Sequence, residues 1–239
     1  MIYGTDLASI HHTEFGTFAR DAAPGLLELL GDAGIVRGLV VDLACGSGIW
    51  AAELIRAGYD VLGIDASSAM IDLARNTAPA GRFILGSVHS TPIPSCSAVT
   101  AIGEGISYLQ NGEDEIDLVP LFARVYDALE SGGLLIFDVV EKISGQTMQY
   151  RTTRSGADWE VVVEVSEDPD WSMLTRTIAI SQGRGGQRRS TSEVHRVQTF
   201  GRAVLETMLR ECGYTVQVLR SYGRAELPSR RLGVIARKR

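Results

Sequence analysis

Apolar residues recur at two different periods along this chain, and the change of period divides it. In the first 36 residues the period is helical. Leu7, Ile10, His11, Phe15 and Phe18 share one face, and Leu26, Leu27, Leu29 and Leu30 fill a second helix with Asp21 near its start and Pro24 close behind. From residue 39 onward, short apolar runs alternate with amphipathic stretches. This pattern predicts strands over 39–44, 60–64, 82–86, 97–102 and 133–140, and helices over 49–56, 67–76 and 113–130. Gly132 and Gly133 punctuate the last helix-to-strand junction. Strands that alternate with helices imply right-handed crossovers and a mostly parallel α/β sheet covered on both faces.

Between about 145 and 199 the period falls to two. Glu160–Val165 and Met173–Ile180 alternate, and Gly183-Arg-Gly-Gly-Gln turns the chain into Thr191–Thr199. An antiparallel meander of three or four strands follows from this. A helix over 201–212 closed by Gly213, then strands over 214–220 and 232–238, complete the chain. The meander is therefore an insertion between the fifth strand and the final helix–strand–strand unit.

Composition narrows the functional classes. A chain of 239 residues, 45% apolar and 22% charged, can bury a sizeable core, and no run approaches the ~18 apolar residues of a membrane span. The amino-terminal residues lack a basic and then apolar leader, so a cytoplasmic location is expected. Three separated cysteines, Cys45, Cys96 and Cys212, form no CxxC pair, and no cluster of histidines and acids has metal-ligand spacing. Charge is split unevenly: residues 1–145 hold 19 acids and 7 bases, residues 146–239 hold 10 acids and 16 bases. The acidic front half speaks against a wholesale nucleic-acid binder, while the basic back half leaves room for an anionic partner.

The chemistry concentrates in Asp42-Leu-Ala-Cys-Gly-Ser-Gly48, set between a strand and a helix. Such a turn presents backbone N–H groups to a ligand above the sheet, and Gly46 and Gly48 let that ligand approach closely. Asp65 ends the second strand, where a carboxylate can accept from both hydroxyls of a ribose. Gly46-Ser-Gly-Ile-Trp-Ala51 also fits the loose dinucleotide pattern GxGxxA, so a nicotinamide-dependent oxidoreductase is a rival. Asp42 at the strand end and the bulk of Trp50 argue against it. Cys45 reads as a small apolar filler in preference to a thiol nucleophile.

Three ordered motifs resemble the class I S-adenosylmethionine-dependent methyltransferases, in particular their small-molecule branch with a type 11/25-like domain. They are Asp42–Gly48 with Ala44 in place of the first glycine, Gly63-Ile-Asp65-Ala-Ser-Ser-Ala-Met70 with the helix after it, and Leu129–Asp138. The resemblance implies a Rossmann-like, seven-stranded, mostly parallel sheet with helices on both faces and an antiparallel last strand. It also implies three parts: an amino-terminal helical lid over 1–36, a cofactor-binding domain over 37–144 and 200–239, and the inserted substrate-side subdomain over 145–199. S-adenosyl-L-methionine would be the methyl donor and S-adenosyl-L-homocysteine the product. Asp65 would hold the ribose, and Ala66, Met70 and Val88 would lie at the adenine. Ser87, where the family often has an acid, would accept from the adenine amino group. Asp42, Ala44, Cys45, Gly46, Gly48, Ile102 and Gly103 would surround the methionine portion, with Tyr3 of the lid above.

Acceptor-side candidates must lie above the carboxyl ends of the strands. Glu104, just past the fourth strand, is a candidate base or substrate anchor, and Tyr108 a cover for the cofactor. His195 shares a strand face with Glu193 and Val197 in the meander and is expected to face the site. His11 lies on the apolar face of the lid, whereas His12 points elsewhere and His89 sits at the edge of the adenine loop. Arg184, Arg188 and Arg189 occupy one hairpin turn and its flank, and read as a solvated turn or a patch for an anionic substrate. No Asn/Asp-Pro-Pro-Tyr/Phe follows the fourth strand and Cys96 precedes it, which counts against base-directed chemistry. The expected activity is methyl transfer to a nitrogen or oxygen of a small molecule, a mildly anionic one being favoured. An RNA methyltransferase and a non-catalytic cofactor-binding module are the remaining rivals.

Overall fold

The computed structural model describes residues 3–109, 113–183 and 189–239. Helix α1 (Thr5–Ile10) runs through a π-helical turn at His11–Phe15 into α2 (Thr17–Asp32). Then come β1 (Leu39–Leu43), α3 (Ile49–Arg56), β2 (Asp60–Asp65), α4 (Ser68–Thr77), β3 (Arg82–Leu85) and β4 (Cys96–Ala101). Helix α5 (Val119–Ala128) leads into β5 (Leu129–Val140). The insertion is β6 (Gln149–Ser155), β7 (Trp159–Asp168), β8 (Met173–Gln182) and β9 (Arg189–Gln198). The chain closes with α6 (Arg202–Glu211), β10 (Tyr214–Leu219), a hairpin of β11 (Ser221–Tyr222) and β12 (Ala225–Glu226), and β13 (Arg231–Lys238).

Seven strands form one sheet in the order β3-β2-β1-β4-β5-β13-β10. All neighbours are parallel except β13, which runs antiparallel to both β5 and β10. One face is covered by α5 and α6 through Phe122, Val125, Leu205 and Leu209, the other by α2, α3 and α4 through Leu26, Leu30, Leu54 and Ile71. Burial of both faces explains why the strands read as apolar runs and not as alternation. Strand order reverses at β1, so the crevice for a ligand opens beyond the carboxyl ends of β1 and β4.

The insertion is a second, four-stranded antiparallel sheet in the order β6-β7-β8-β9. One of its faces carries Val161, Ile178 and Ile180, against which Leu7 and Ile10 of α1 pack. The amino-terminal segment thus lies between the two sheets.

Several local expectations change. Helix α5 starts at Val119, not at 113, with Pro120 in the first turn, where its missing N–H costs nothing. The residues before it are held extended from the insertion: Ile116 N donates to Gln198 Oε1 (2.5 Å) and Gln198 Nε2 donates to Ile116 O (3.2 Å). The helix ends at Ala128, and β5 begins at once, so Gly132 and Gly133 lie within that strand; its register slips between Leu129 and Leu134. Hairpin β11–β12 had no counterpart in the sequence reading. It forms against α2, where a Cβ on Gly25 would stand 2.3 Å from the carbonyl of Tyr222. Of the turn at Gly183–Gln187 only Gly183 is among the described residues, and Arg184 and Arg188 lie outside them. Among the described residues, no helix is long and apolar enough to cross a membrane.

Candidate active site

Loops after β1, β2 and β4, together with the amino-terminal segment and β8, enclose a cavity of about 390 Å³. Its floor is the glycine turn. Ala44 and Gly46 both adopt left-handed backbone (φ 52°), and Gly48 (φ 76°) starts α3. The methyl of Ala44 is tolerated because it faces a glycine: a Cβ on Gly105 would lie 2.2 Å from it. Cβ atoms added to Gly46 or Gly103 would meet nothing within 4 Å, so the backbone is bare towards open space at both points. Gly48 packs instead on Ala74 and stands outside the lining.

Asp65 ends β2 beside this floor. It accepts from Gly46 N (2.9 Å) on one oxygen and Ser67 N (2.8 Å) on the other. Burial still pushes its carboxyl up, against those bonds. Asp42 is more deeply buried. It accepts from Thr100 Oγ1 (2.8 Å), which in turn accepts from Trp50 Nε1 (3.1 Å), so the bulk of Trp50 serves a hydrogen-bond chain behind the turn. Burial lifts Asp42 to about 7. Neither carboxylate is paired with an arginine or lysine among the described residues. Two buried acids without counter-ions make this end of the cavity attractive to a cation. The Cys45 thiol is buried too, which pushes it up and leaves it unreactive. Ala66, Met70, Val88, His89 and Ile102 complete this end, while Ser87 is outside the lining and its Oγ accepts from His89 N (3.2 Å).

The opposite wall is an ionic cluster. Glu104, 3% exposed and itself left-handed (φ 59°), is paired with Arg176 of β8 and with Arg231 of β13 (2.8 Å). Burial alone would raise its carboxyl, but Arg231 and Arg176 together hold it below the usual carboxylate range. Asp138, at the end of β5, fixes the strained loop by accepting from Gly103 N (2.9 Å) and Glu104 N (2.8 Å), and it is paired with Arg231 (3.2 Å). Arg176 also donates to the Tyr108 hydroxyl (2.9 Å), and that hydroxyl lies 3.5 Å from the hydroxyl of Tyr3. Burial raises both phenols, so both stay protonated.

The amino-terminal segment is fastened at both ends. Tyr3 N (2.8 Å) and Gly4 N (2.9 Å) donate to the two oxygens of Glu193 in β9, and Ser67 Oγ donates to Tyr3 O (2.6 Å). His12 Nδ1 lies 2.9 Å from Ser47 Oγ in the glycine turn, which corrects the expectation that His12 points away. The π-helical turn provides the reason, since its wider spacing rotates His12 towards the turn while His11 lines the cavity. His11 Nδ1 is buried with no hydrogen-bond partner, and burial, with His12 and His195 nearby, lowers the ring to about 4. His195 is 1% exposed and outside the lining. Its Nε2 is 2.8 Å from Glu193 Oε2, and its ring packs on Tyr3 and Tyr108.

The geometry therefore brings Tyr3, Asp42, Ala44–Gly46, Asp65, Ala66, Met70, Val88, Ile102–Glu104, Tyr108 and His11 to one cavity and leaves Gly48, Ser87 and His195 behind its walls. Arg176, Arg231 and Asp138 were missed as site residues. Asp138 closes the third motif and could have been suspected. The arginines carry no local signal. Arg189 pairs with Asp6 on the surface, away from the cavity. Among the described residues, no group of three His, Cys, Asp or Glu side chains is arranged to hold a metal ion.

Residues 40–133 match a family model described as a methyltransferase domain. The trans-aconitate 2-methyltransferase of Delftia acidovorans is 41% identical over 100 residues, covering 40% of this chain and 35% of that one. An S-adenosylmethionine-dependent methyltransferase from Clostridium acetobutylicum superposes with a TM-score of 0.79 at 17% identity, covering 97% of each chain. The sugar N-methyltransferase KedS8 from Streptoalloteichus does so with a TM-score of 0.77 at 17% identity, covering 100% of this chain and 97% of that one.

Proposed function

The chain is a class I S-adenosylmethionine-dependent methyltransferase, and on that premise we propose that it moves the methyl group to a nitrogen or oxygen of a small molecule. The observation that carries this reading is a cavity with two unlike ends, one at the glycine turn whose acids have no arginine or lysine partner among the described residues and one walled by phenols and arginines. The residues fit the donor. Asp65 retains acceptor capacity for the ribose hydroxyls beyond its two backbone bonds, and Ala66, Met70 and Val88 would flank the adenine. Asp42, Ile102 and the bare backbone at Gly46 and Gly103 would face the methionine portion, with Ala44 and Cys45 filling beneath and Gly48 and Ser87 supporting from outside. When bound, S-adenosylmethionine supplies a methyl group on a cationic sulfur, transferred by in-line displacement.

Much of the catalysis then comes from holding the acceptor near the methyl carbon. Residues 1–36 act as the lid, 37–144 and 200–239 hold the donor, and 145–199 supply the acceptor side. Tyr3 and Tyr108 present protonated hydroxyls to the acceptor, and Glu104 positions Arg176 and Tyr108, since its ion pairs keep it charged and occupied. His195 supports Tyr3 from behind. His11 Nδ1, neutral at pH 7, can accept a hydrogen bond from the acceptor. A ring lowered to about 4 is a weak base, too weak to serve a hydroxyl nucleophile well, and a nucleophile that needs no proton removed before attack, such as an unprotonated amine, suits it better. The sugar N-methyltransferase named above is in keeping with that preference, and its name and that of the trans-aconitate 2-methyltransferase both specify small-molecule acceptors.

A labelled-methyl assay across amines, phenols and carboxylates tests the reading. Transfer to amines is expected. Turnover of RNA alone, with tight and salt-sensitive RNA binding, would replace it with the RNA-directed alternative.

A further inference from the structure

A second concavity, of about 660 Å³, lies outside the first and shares two of its wall residues, Pro228 and Arg231. It is built by hairpin β11–β12 and the segment leading into β13, and its lining includes Arg220, Arg224, Arg230 and Arg231 against one acid, Glu226. Three of these arginines are tied inward. Arg220 is paired with Glu141 (2.6 Å), Arg230 with Glu167 (2.6 Å), and Arg231 with Glu104 and Asp138. Arg224 has no carboxylate partner among the described residues. Nor do the hydroxyls of Ser221 and Ser229, on the same lining, have a side-chain hydrogen bond there. The backbone is strained at this place: Arg230 is left-handed (φ 60°), like Tyr3, Ala44 and Glu104 of the inner cavity. Left-handed non-glycine residues cost free energy and persist where the surroundings enforce them, commonly at ligand sites.

We propose that this groove is the outer half of the acceptor site and binds an oxyanion group of the acceptor, a phosphate or a carboxylate, while the nucleophile reaches the inner cavity past Pro228 and Arg231. The proposal rests on the methyltransferase reading and adds the substrate class. The Arg224 guanidinium and the Ser221 and Ser229 hydroxyls on one lining suit a group with several acceptor oxygens. Pairing of Arg220, Arg230 and Arg231 holds the donors in place without cancelling Arg224. The basic back half of the sequence thus gains a role at 220–231.

Calorimetric titration of the whole chain with inorganic pyrophosphate and with glutarate, at about 0.1 M salt, tests this, with S-adenosylmethionine titrated in the same samples. Binding of at least one oxyanion is expected, and the tighter of the two identifies phosphate or carboxylate as the source. Arg224→Glu should weaken that binding by about tenfold, as loss of a charge-assisted contact implies, and Ser229→Glu, which sets a carboxylate on the same lining, should weaken it too. If neither anion binds, or both variants bind as the parent does, the groove is not an oxyanion site. Should S-adenosylmethionine bind normally in that case, only the subsite is lost. Should it also fail to bind, the methyltransferase reading falls with it.

Discussion

Gly105→Ala places a methyl group 2.2 Å from the Cβ of Ala44, the residue that stands where the resembling family has the first glycine of the turn. Carbon atoms in contact sit about 3.5–4.0 Å apart, so the overlap is roughly 1.5 Å. Neither atom is the far end of a flexible side chain, so backbone must move to relieve it. Both backbones are constrained. Ala44 leads into the turn held by Asp65 through Gly46 N, and Gly105 follows the loop pinned by Asp138 at Gly103 N and Glu104 N. Overpacking of this kind costs about 1–3 kcal/mol. For a chain of this size each kcal/mol lowers the melting temperature by about 2–4 °C.

Removing the other methyl should restore the fit. With Ala44→Gly, the nearest atom to a Cβ at 105 becomes the Cα of residue 44, at 3.6 Å, an ordinary contact. That change also relieves the left-handed alanine, by about 1–2 kcal/mol. Urea unfolding and S-adenosylmethionine calorimetry on the two single variants and the double variant close a mutant cycle. Gly105→Ala alone is expected to lose both stability and donor affinity, and the double variant to recover most of each. Additive effects, with the double variant no better than the two singles combined, would refute the account of the turn.

Asp65→Ala should weaken S-adenosylmethionine binding by about 1–3 kcal/mol, because bonds from two hydroxyls to a carboxylate are lost; unchanged affinity in calorimetry would move the ribose elsewhere. Asp42 has a carboxyl raised to about 7 in the fold against an ordinary value of 3.8, so between those pH values the folded state holds the extra proton. Its contribution is therefore present in acid and is lost as pH rises through 7. Asp42→Asn, which keeps an acceptor for Thr100, should match the parent near pH 4 and exceed it in stability at pH 8, as followed by urea midpoints; parallel pH profiles would contradict this. Glu193→Ala removes the acceptor of Tyr3 N and Gly4 N, so proteolytic cutting within residues 3–15 should accelerate and KM for S-adenosylmethionine should rise, with Glu193→Gln restoring part of both. Cutting at the parent's rate would show that the lid is held by packing alone.

The glycine-turn end of the cavity was legible in the sequence because each of its residues sits at a strand end or in the adjoining turn, where order along the chain sets order in space. Asp42 and Gly46 follow from β1, Asp65 from β2, Ile102 to Glu104 from β4. The opposite end was legible only in part. Glu104, Tyr108 and His11 were singled out and do line the cavity, but their chemical state was not visible. Glu104 read as a candidate base until Arg176 and Arg231, 72 and 127 residues further along the chain, were found against it. His12 was placed on the wrong side because an α-helical period was assumed where the chain forms a π-turn, a deviation of one residue per turn that side-chain polarity does not encode.

Local information determined the fold class: period and punctuation mark the strands and helices, and burial of a sheet on both faces leaves few ways to arrange them. The glycine turn and the carboxylate at the next strand end then mark the proposed donor end. Tertiary structure alone decided which charges neutralise one another and which remain free. Among the described residues, Asp42 and Asp65 stand without basic partners at one end of the cavity, Glu104 and Asp138 are held by arginines at the other, and Arg224, outside it, has no carboxylate partner. Pairing depends on distances of a few ångströms between residues far apart in sequence, and Coulomb energy is steep at that range. The uneven charge of the two halves of the chain is visible in the sequence, but only the packing showed that much of the basic charge at 220–231 is spent on internal ion pairs.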